Sequence, residues 1–395
     1  MNKIYLFISL SCLILCVNCK NKQNELENID LNRAEITLDS IYSHYAVTDS
    51  PLLRENFPFN NQYSATYLAT TEQNATNEYS YLWPYSGTLS AVCALIEATQ
   101  DNKYKNILEK KVLPGLEEYF DTKRQPAGYA SYINSAPQSD RFYDDNVWLG
   151  IDFTDLYTIT SKQEYLNKAR LIWDFVISGQ DDKLDGGIYW CEQNKNSKNT
   201  CSNAPGSVFA LKLFEVTKDS LYFYQGKALY DWTKAHLQDV DDYIYFDNIK
   251  LDGEIGTAKY AYNSGQMMQA AALLYKLTGI DSYLHESQEI AKSCYNHFFV
   301  NFGDNEKQEF RLIEKGNVWF TAVMLRGYIE LYQIDKDPIF INTFRQNLDY
   351  AWKHARDENG LFEKDLSGNE KDTEKWLLTQ AAMVEMYARI GALNE

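Results

Sequence analysis

Apolar side chains recur along this chain at helical spacing, and they do so in two different kinds of segment. In the first kind they occupy one face only, as Leu166, Ala169, Trp173 and Val176 do within residues 164–178. This pattern predicts an amphipathic helix with its other face in solvent. Segments of this kind are predicted at about 31–47, 103–120, 164–178, 221–238, 281–299 and 338–356.

The second kind of segment is apolar on nearly all sides, as in residues 90–96 and 267–274. A helix with this pattern is buried all round. Further members are predicted at about 145–159, 206–217, 317–333 and 375–390. The two kinds alternate six times, and each pair takes roughly 55–65 residues.

Repeated helical hairpins either stack into an open solenoid or close into a ring. Inner helices that are apolar all round favour closure, because an open solenoid keeps a wet concave face. The sequence therefore predicts an all-α fold, an (α/α)6 barrel of six inner and six outer helices, as a single domain over residues 31–395. Strand signals are limited to short stretches at 187–190 and 243–246.

The N-terminus has the pattern of a secretion signal. Lys3 precedes an apolar run over residues 4–17, which is too short for an ordinary membrane span. The pattern resembles a bacterial lipoprotein signal over residues 1–18, with Cys19 as the lipidated first residue and a polar tether over 19–30. An ordinary cleaved signal peptide is the alternative. We expect a location in the cell envelope of a Gram-negative bacterium, with a lipid anchor as the only membrane contact.

Charge and composition narrow the ligand class. The formal net charge is -17 and the pI about 4.8, which disfavours nucleic acid and polyanions and favours a neutral ligand. The 30 Tyr and 8 Trp supply flat apolar faces with a polar tip, which suit sugar rings. No Cys or His spacing indicates a metal, and we expect no cofactor and a monomer. Cys191 and Cys201 flank a polar loop and are candidates for a disulfide.

Six loops lead into the inner helices and should share one rim of the barrel. Five of them carry Trp or Tyr close to the helix start. The predicted substrate-binding residues are Trp83, Tyr85, Tyr143, Trp190, Asn203, Asn263 and Trp319. Core packing is the alternative for the aromatic residues, and helix capping is the alternative for the two asparagines.

The carboxylates of Asp144 and Asp145 stand on the same rim. Glycoside hydrolysis needs two carboxyl groups, which lie about 5–5.5 Å apart in retaining enzymes. Neighbouring residues in a turn suit this separation, and each charge raises the pKa of the other. The alternative is that Asp145 caps the following helix. The spacing does not decide which of the two donates the proton.

Histidine chemistry is disfavoured by position. All five histidines, His44, His236, His285, His297 and His354, fall in predicted outer helices. Sugar epimerases and uronyl hydrolases with a barrel of this shape use histidine or cationic contacts at the rim, so both are disfavoured. The non-enzymatic alternative is a surface lipoprotein that binds glycans.

Several motifs carry a resemblance to a known family. Residues 143–148 read Tyr-Asp-Asp-Asn-Val-Trp, and further motifs follow the expected order at 83–87, 186–190, 203–206 and 262–266. The chain resembles glycoside hydrolase family 76, which comprises endo-acting α-1,6-mannanases on an (α/α)6 barrel. The resemblance implies a retaining mechanism, with Asp144 as nucleophile and Asp145 as acid/base. It also implies a neutral, mannose-rich substrate with an α-1,6-linked backbone and no metal, while activity on another neutral glycan stays open.

Overall fold

Thirteen α-helical stretches occur in residues 28–68, 77–303 and 309–393, the parts of the chain that this computed structural model describes. They are, in chain order, α1 (Ile29–Tyr45), α2 (Leu82–Thr99), α3 (Asn102–Ile107), α4 (Leu113–Glu117), α5 (Tyr143–Thr160), α6 (Gln163–Ile177), α7 (Thr200–Thr217), α8 (Ser220–Leu237), α9 (Ala261–Thr278), α10 (Asp281–Phe298), α11 (Val318–Asp335), α12 (Ile339–His354) and α13 (Leu377–Ala392). A π-helical turn, Leu108–Val112, joins α3 to α4, so these two act as one outer helix.

Six helices form an inner ring and the others surround it. Helices α2, α5, α7, α9, α11 and α13 are buried on almost every face. Each inner helix contacts the inner helices before and after it, and α13 contacts α2, so the ring is closed. Helices α1, α3 with α4, α6, α8, α10 and α12 pack outside with only one face buried. The predicted all-α (α/α)6 barrel is confirmed.

A recurring turn joins an inner helix to the next outer helix. Four inner helices end in a threonine whose hydroxyl donates to the carbonyl four residues earlier, at Thr99, Thr160, Thr217 and Thr278. The next residue adopts a left-handed conformation, and its N–H also bonds the last turn of the helix. Because this geometry ends the helix within one residue, the chain reverses at once into the outer helix.

Short strands build up the rim, and most of them were not predicted from the sequence. They are β1 (Asn56–Phe57), β2 (Phe120–Asp121), β3 (Gly128–Tyr129), β4 (Ser197–Asn199), β5 (Phe246–Lys250), β6 (Ile255–Lys259), β7 (Phe299–Gly303), β8 (Glu309–Ile313) and β9 (Lys375–Trp376). Strands β4, β5 and β6 form one antiparallel sheet, and β1 pairs with β9. The predicted stretch at 187–190 makes only isolated bridges, and that at 243–246 contributes an isolated bridge and the first residue of β5.

The first described residues correct the predicted tether. Asn28 caps α1 by accepting a hydrogen bond from the N–H of Leu31, and Asp30 lies buried in the first turn, paired with Arg33 at 3.3 Å. The domain therefore begins before residue 31. The predicted signal peptide and Cys19 lie outside the described residues. None of the helices in the described ranges has the length and apolar character that a bilayer-spanning segment needs.

Candidate active site

A cavity of about 600 Å³ opens where the N-terminal ends of the inner helices converge. Every inner helix supplies a lining residue from its N-cap or first two turns, and β4 and β5 supply Asn199 and Asp247. Its volume lies within the range of ordinary ligand pockets. Asp144, Asp145 and eleven aromatic side chains line it. The predicted convergence of acidic and aromatic residues at one rim is thus present.

Asp144 and Asp145 occupy the first turn of α5, and neighbouring contacts fix that turn. The N–H of Tyr143 donates to the carbonyl of Trp190 at 2.9 Å. The Asn146 side chain donates to the carbonyls of Phe142 and Tyr129 and accepts from the N–H of Tyr129 at 2.8 Å. Phe142 is the N-cap residue of α5 and no side chain caps the helix, so Asp145 is not the capping residue.

The two carboxyl groups have different hydrogen-bond environments. One oxygen of Asp144 accepts from the indole N–H of Trp190 at 3.1 Å, and the other accepts from the backbone N–H of Asp145 at 3.0 Å. The thiol of Cys201 is a third donor to Asp144. Among the described residues, no side chain or backbone group donates a hydrogen bond to the carboxyl of Asp145, which is 9 % exposed.

This difference separates their proton affinities. Burial raises the pKa of Asp144 to about 6, and the hydrogen bonds donated to its carboxyl group limit the rise. Burial, together with the charge of Asp144, raises the pKa of Asp145 well above its ordinary range. Near neutral pH the site therefore holds an ionised Asp144 beside a protonated Asp145.

Aromatic rings continue from the acidic pair across the cavity. Trp148 lies one turn after Asp144 and meets Trp319 edge to face at 4.9 Å. Trp319 meets Trp83 edge to face at 5.7 Å, and Trp83 meets Trp376 at 5.3 Å. Edge-to-face contacts of this kind fix ring orientation. The result is a connected aromatic surface rather than a scatter of separate rings.

Comparison with known proteins identifies the family. A sequence model of glycosyl hydrolase family 76 matches residues 53–309, which hold the acidic pair and most of the rim. The chain belongs to glycosyl hydrolase family 76.

Solved structures of family 76 share the fold. A family 76 glycoside hydrolase (mannosidase) from Bacteroides thetaiotaomicron superposes with a TM-score of 0.84 and 32% identity, over 92% of this chain and 98% of that one. An α-1,6-mannanase from a Salegentibacter species superposes with a TM-score of 0.72 over 93% of this chain and all of that one. The Salegentibacter enzyme is only 24% identical to this chain, so its similarity shows that the fold is shared and no more.

Curated relatives match over a shorter stretch. A mannan endo-1,6-alpha-mannosidase of Candida glabrata is 30% identical over 148 residues, which is 35% of this chain and 32% of the relative. The chain thus matches about a third of the length of the curated relatives.

Three of the seven predicted binding residues line the cavity. Trp83 and Trp190 line it with half-buried rings, and the Trp190 indole also orients Asp144. Trp319 lines the floor, but only 1% of it is exposed, so it mainly supports Trp83 and Trp148. That these three residues bind substrate stays a prediction.

Four other predicted binding residues lie off the cavity surface. The hydroxyl of Tyr85 donates to the carbonyls of Pro51 and Val112 at 3.1 Å, and the ring of Tyr143 stacks on Phe175 of an outer helix. Asn203 and Asn263 are fully buried behind the wall. The motifs lie inside the first helical turns, where successive side chains point about 100° apart, so neighbouring residues cannot all face the substrate.

Asn203 belongs to a repeated clamp at the start of the inner helices. It accepts from the N–H of Ile188 at 2.6 Å and donates to the carbonyl of the same residue at 2.8 Å. Asn146 holds Tyr129 in the same way, and Gln380 holds Phe362. Asn203 therefore positions the loop that carries Trp190 rather than contacting substrate.

The two candidates for a disulfide, Cys191 and Cys201, do not pair in the structure. Cys191 and Cys201 are both buried free thiols. Cys191 packs with Phe142 in a small apolar cluster, while Cys201 lines the cavity at the start of α7 and donates to Asp144. The two side chains serve different neighbours.

Some residues of the site were not predicted from the sequence. Asp247 is a third carboxyl in the cavity wall, and burial raises its pKa. It lies on β5, whose pairing with β4 had no clear sequence signal. Tyr262 and Phe320 stack at 3.9 Å and line the cavity, and they are the chain neighbours of the predicted binding residues Asn263 and Trp319.

The histidines lie away from the site. All five are on outer helices, in α1, α8, α10 and α12, and none of them lines the cavity. Within the described ranges, no group of three or more His, Cys, Asp or Glu side chains is arranged to hold a metal ion.

Proposed function

We propose that this family 76 protein is a retaining glycoside hydrolase that cleaves α-1,6-mannosidic linkages in mannan-type polysaccharide. The observation that carries the proposal is the unequal environment of the acidic pair. Asp144 accepts hydrogen bonds from Trp190, Cys201 and the backbone, which favour its charged form, while burial and the Asp144 charge keep the proton on Asp145. A double-displacement mechanism needs one ionised and one protonated carboxyl group.

The chemistry follows from these two states. The ionised Asp144 attacks the anomeric carbon, and Asp145 gives its proton to the glycosidic oxygen as the bond to the leaving sugar breaks. A covalent glycosyl ester on Asp144 results. Asp145, now ionised, takes a proton from water, and the resulting hydroxide displaces Asp144 from the anomeric carbon. Both carboxyl groups then return to their starting states.

The substrate class rests on the cavity surface and on the relatives. Aromatic faces bind the apolar side of sugar rings, and the net charge of -17 favours a neutral glycan. The Bacteroides structure is described as a mannosidase, and the Candida relative as a mannan endo-1,6-alpha-mannosidase. Both support mannan as the substrate.

Substitution of the acidic pair tests the proposal. We expect Asp144→Asn and Asp145→Asn each to lower kcat on linear α-1,6-mannan by about 10³-fold or more. Asp152→Asn is the matched control, since Asp152 is buried on the same helix and bonded to Ser90, away from the cavity. Folding of all three is checked by circular dichroism. Activity near the wild-type level in either pair variant would contradict the proposal.

Two further measurements separate the alternatives. Proton NMR of the first product should show the α-anomer, and an initial β-anomer would rule out retention. Mannan binding without turnover by the wild-type protein would instead support a non-catalytic glycan-binding lipoprotein. Turnover of a different neutral glycan in place of mannan would overturn the substrate assignment alone.

We also propose that the protein is anchored to the cell envelope through a lipid on Cys19. The sequence Cys16-Val17-Asn18-Cys19 ends the apolar run, and a polar segment follows it. In a Gram-negative host, Cys19→Ala should move the protein from the membrane fraction to the soluble fraction and abolish its labelling by a radioactive fatty acid. Unchanged membrane association would contradict the anchor.

A further inference from the structure

Glu55 is a buried carboxylate beside the cavity that the proposed reaction does not use. Only 3% of it is exposed, and in the described part of the chain no Lys or Arg forms an ion pair with it. A buried carboxyl group without a cation needs neutral donors to replace water. Its environment supplies them in unusual number, and the hydroxyl of Tyr63 is one of them.

Four more donors converge on the two oxygens of Glu55. One oxygen accepts from the hydroxyl of Tyr67 at 2.7 Å and from the indole N–H of Trp376 at 3.1 Å. The other accepts from the side-chain amide of Asn77 at 2.8 Å and from the backbone N–H of Tyr81 at 3.1 Å. These four groups come from three separate parts of the chain, which Glu55 thereby ties together.

Three of the residues that bond to Glu55 line the cavity, namely Tyr67, Tyr81 and Trp376. Tyr67 lies in a stretch without helix or strand, so regular backbone bonding does not fix its position. Its ring meets Trp83 edge to face at 5.0 Å and Trp376 at 5.7 Å. We call these three rings, Tyr67, Trp83 and Trp376, the aromatic wall.

The backbone around Glu55 is anchored to the same wall. Strand β1 follows Glu55 directly and pairs with β9, with Asn56 opposite Trp376. The carbonyl of Glu55 accepts from the N–H of Leu377, the first residue of α13, at 2.8 Å. Glu55 therefore holds its side-chain partners from a fixed backbone position.

We propose that Glu55 is a positioning residue that holds two rings of the aromatic wall, Tyr67 and Trp376. The aromatic wall then stacks on a mannosyl unit beyond the one attacked by Asp144. This inference rests on the proposed function and deepens it. None of the three rings of the aromatic wall belongs to the reacting pair of aspartates, so the wall contributes to substrate binding. Loss of its order should weaken binding of the chain and leave the chemical step intact.

Glu55→Gln is the sharpest test because all of the partners of Glu55 are donors. A carboxylate accepts from every one of them, whereas an amide turns an NH₂ group toward those on one side. We expect KM for linear α-1,6-mannan to rise about tenfold, equivalent to about 1.4 kcal/mol. We expect kcat at saturation to change less than about threefold, because the acidic pair is untouched.

Three further variants keep the test decisive. Tyr67→Phe and Trp376→Phe each remove one donor to Glu55 and keep an aromatic ring, so each should raise KM in the same direction by a smaller factor. Glu286→Gln is the control, since Glu286 is also buried and bonded to two donors, but on an outer helix. It should leave KM unchanged.

The outcomes separate this inference from the proposed function. A wild-type protein without activity on mannan would overturn the proposed function. Active wild type with an unchanged KM in Glu55→Gln, or with a loss in kcat alone, would overturn the role of Glu55. An equal rise in KM in Glu286→Gln would show a general effect of lost buried bonds and would overturn it too. If Glu55→Gln does not fold, an unchanged KM in both Phe variants overturns the role.

Discussion

Adjacent aspartates on one helical turn reach opposite protonation states because their surroundings differ. The indole of Trp190, a backbone N–H and the thiol of Cys201 all point at Asp144. Asp145 faces the cavity with no donor from the described residues, and the Asp144 charge adds to the effect of burial. The motif places both aspartates on one helical turn, but the indole and thiol donors to Asp144 come from a loop and a helix tens of residues further along the chain. Neighbour spacing alone could not assign the two roles.

The activity should depend on pH in a way that reports the acidic pair. Because the pKa of Asp144 is raised to about 6, kcat/KM should rise as the pH increases through about 6 and should fall again where Asp145 loses its proton. Trp190→Phe removes one donor to the charged form of Asp144 and should move the acidic limb up by about one unit.

A matched control for this shift is Trp173→Phe, since the Trp173 indole donates to Gln225 on an outer helix. The measurement is the pH dependence of kcat/KM for the wild type, Trp190→Phe and Trp173→Phe. An acidic limb that stays in place in Trp190→Phe, or that moves equally in Trp173→Phe, would contradict the assigned role of the indole.

The stability of the protein should carry the same signature. Asp145 keeps its proton in the folded state at pH values where the unfolded chain, with a pKa near 3.9, has lost it. The folded state then binds more protons, so the stability contribution of Asp145 falls as the pH rises above about 4, by up to about 1.4 kcal/mol per unit. Asn does not titrate in this range, so the stability of Asp145→Asn should not show this fall with pH.

Urea unfolding of the wild type and of Asp145→Asn at pH 5 and pH 7 checks the prediction. The variant should gain stability relative to the wild type between the two pH values. Parallel stability curves would show that burial does not hold the proton on Asp145.

At the scale of elements, the helices were predictable and the rim strands were not. Burial on one face leaves an apolar period of about 3.6 residues in the outer helices, whereas burial on all faces leaves long, nearly continuous apolar runs in the inner helices. Strands β4, β5 and β6 have mixed burial and few β-branched residues, and β4 pairs with a strand about 50 residues further along the chain. Asp247 and the Glu55 contacts depend on such distant pairings, so local pattern could not reveal them.

The turn between inner and outer helices supplies a prediction about stability. Gly279 and Lys218 occupy equivalent left-handed positions, with φ of 69° and 59°. A Cβ on Gly279 would meet no atom within 4 Å, so Gly279→Ala tests backbone strain alone. It should lower stability by about 1 kcal/mol, and Lys218→Gly should raise it by about 0.5–1 kcal/mol.

Thermal unfolding of the two variants measures this pair of changes. Opposite shifts in Tm are expected, with activity on mannan unchanged because both turns lie at the end of the barrel away from the cavity. Shifts of the same sign would show that the left-handed turn does not limit stability.

At the scale of the molecule, the two ends of the described chain meet. The side chain of Asn28, which caps α1, donates to the carbonyl of Gly391 in α13 at 2.9 Å. We expect a circular permutant that joins residues 28 and 393 by a short Gly/Ser linker and opens between Asp252 and Gly253 to fold and stay active. The new ends lie at the exposed tip of the β5–β6 hairpin.

A second permutant, opened between Met267 and Met268 in the middle of α9, is the control and should not fold. Circular dichroism and mannan turnover measure both proteins. Loss of structure in the hairpin permutant would show that the connection at 252–253 is needed for the ring to form.

Closure of the ring by α13 on α2 also restricts how such a protein can change over evolutionary time. A solenoid can gain or lose one repeat at an end, because each repeat touches only its neighbours. In this ring, a seventh pair of helices would have to separate inner helices that are already in contact, and the cavity would change shape with it. New substrate preferences are therefore expected to arise through the loops and hairpins of the rim, while the number of helix pairs stays at six.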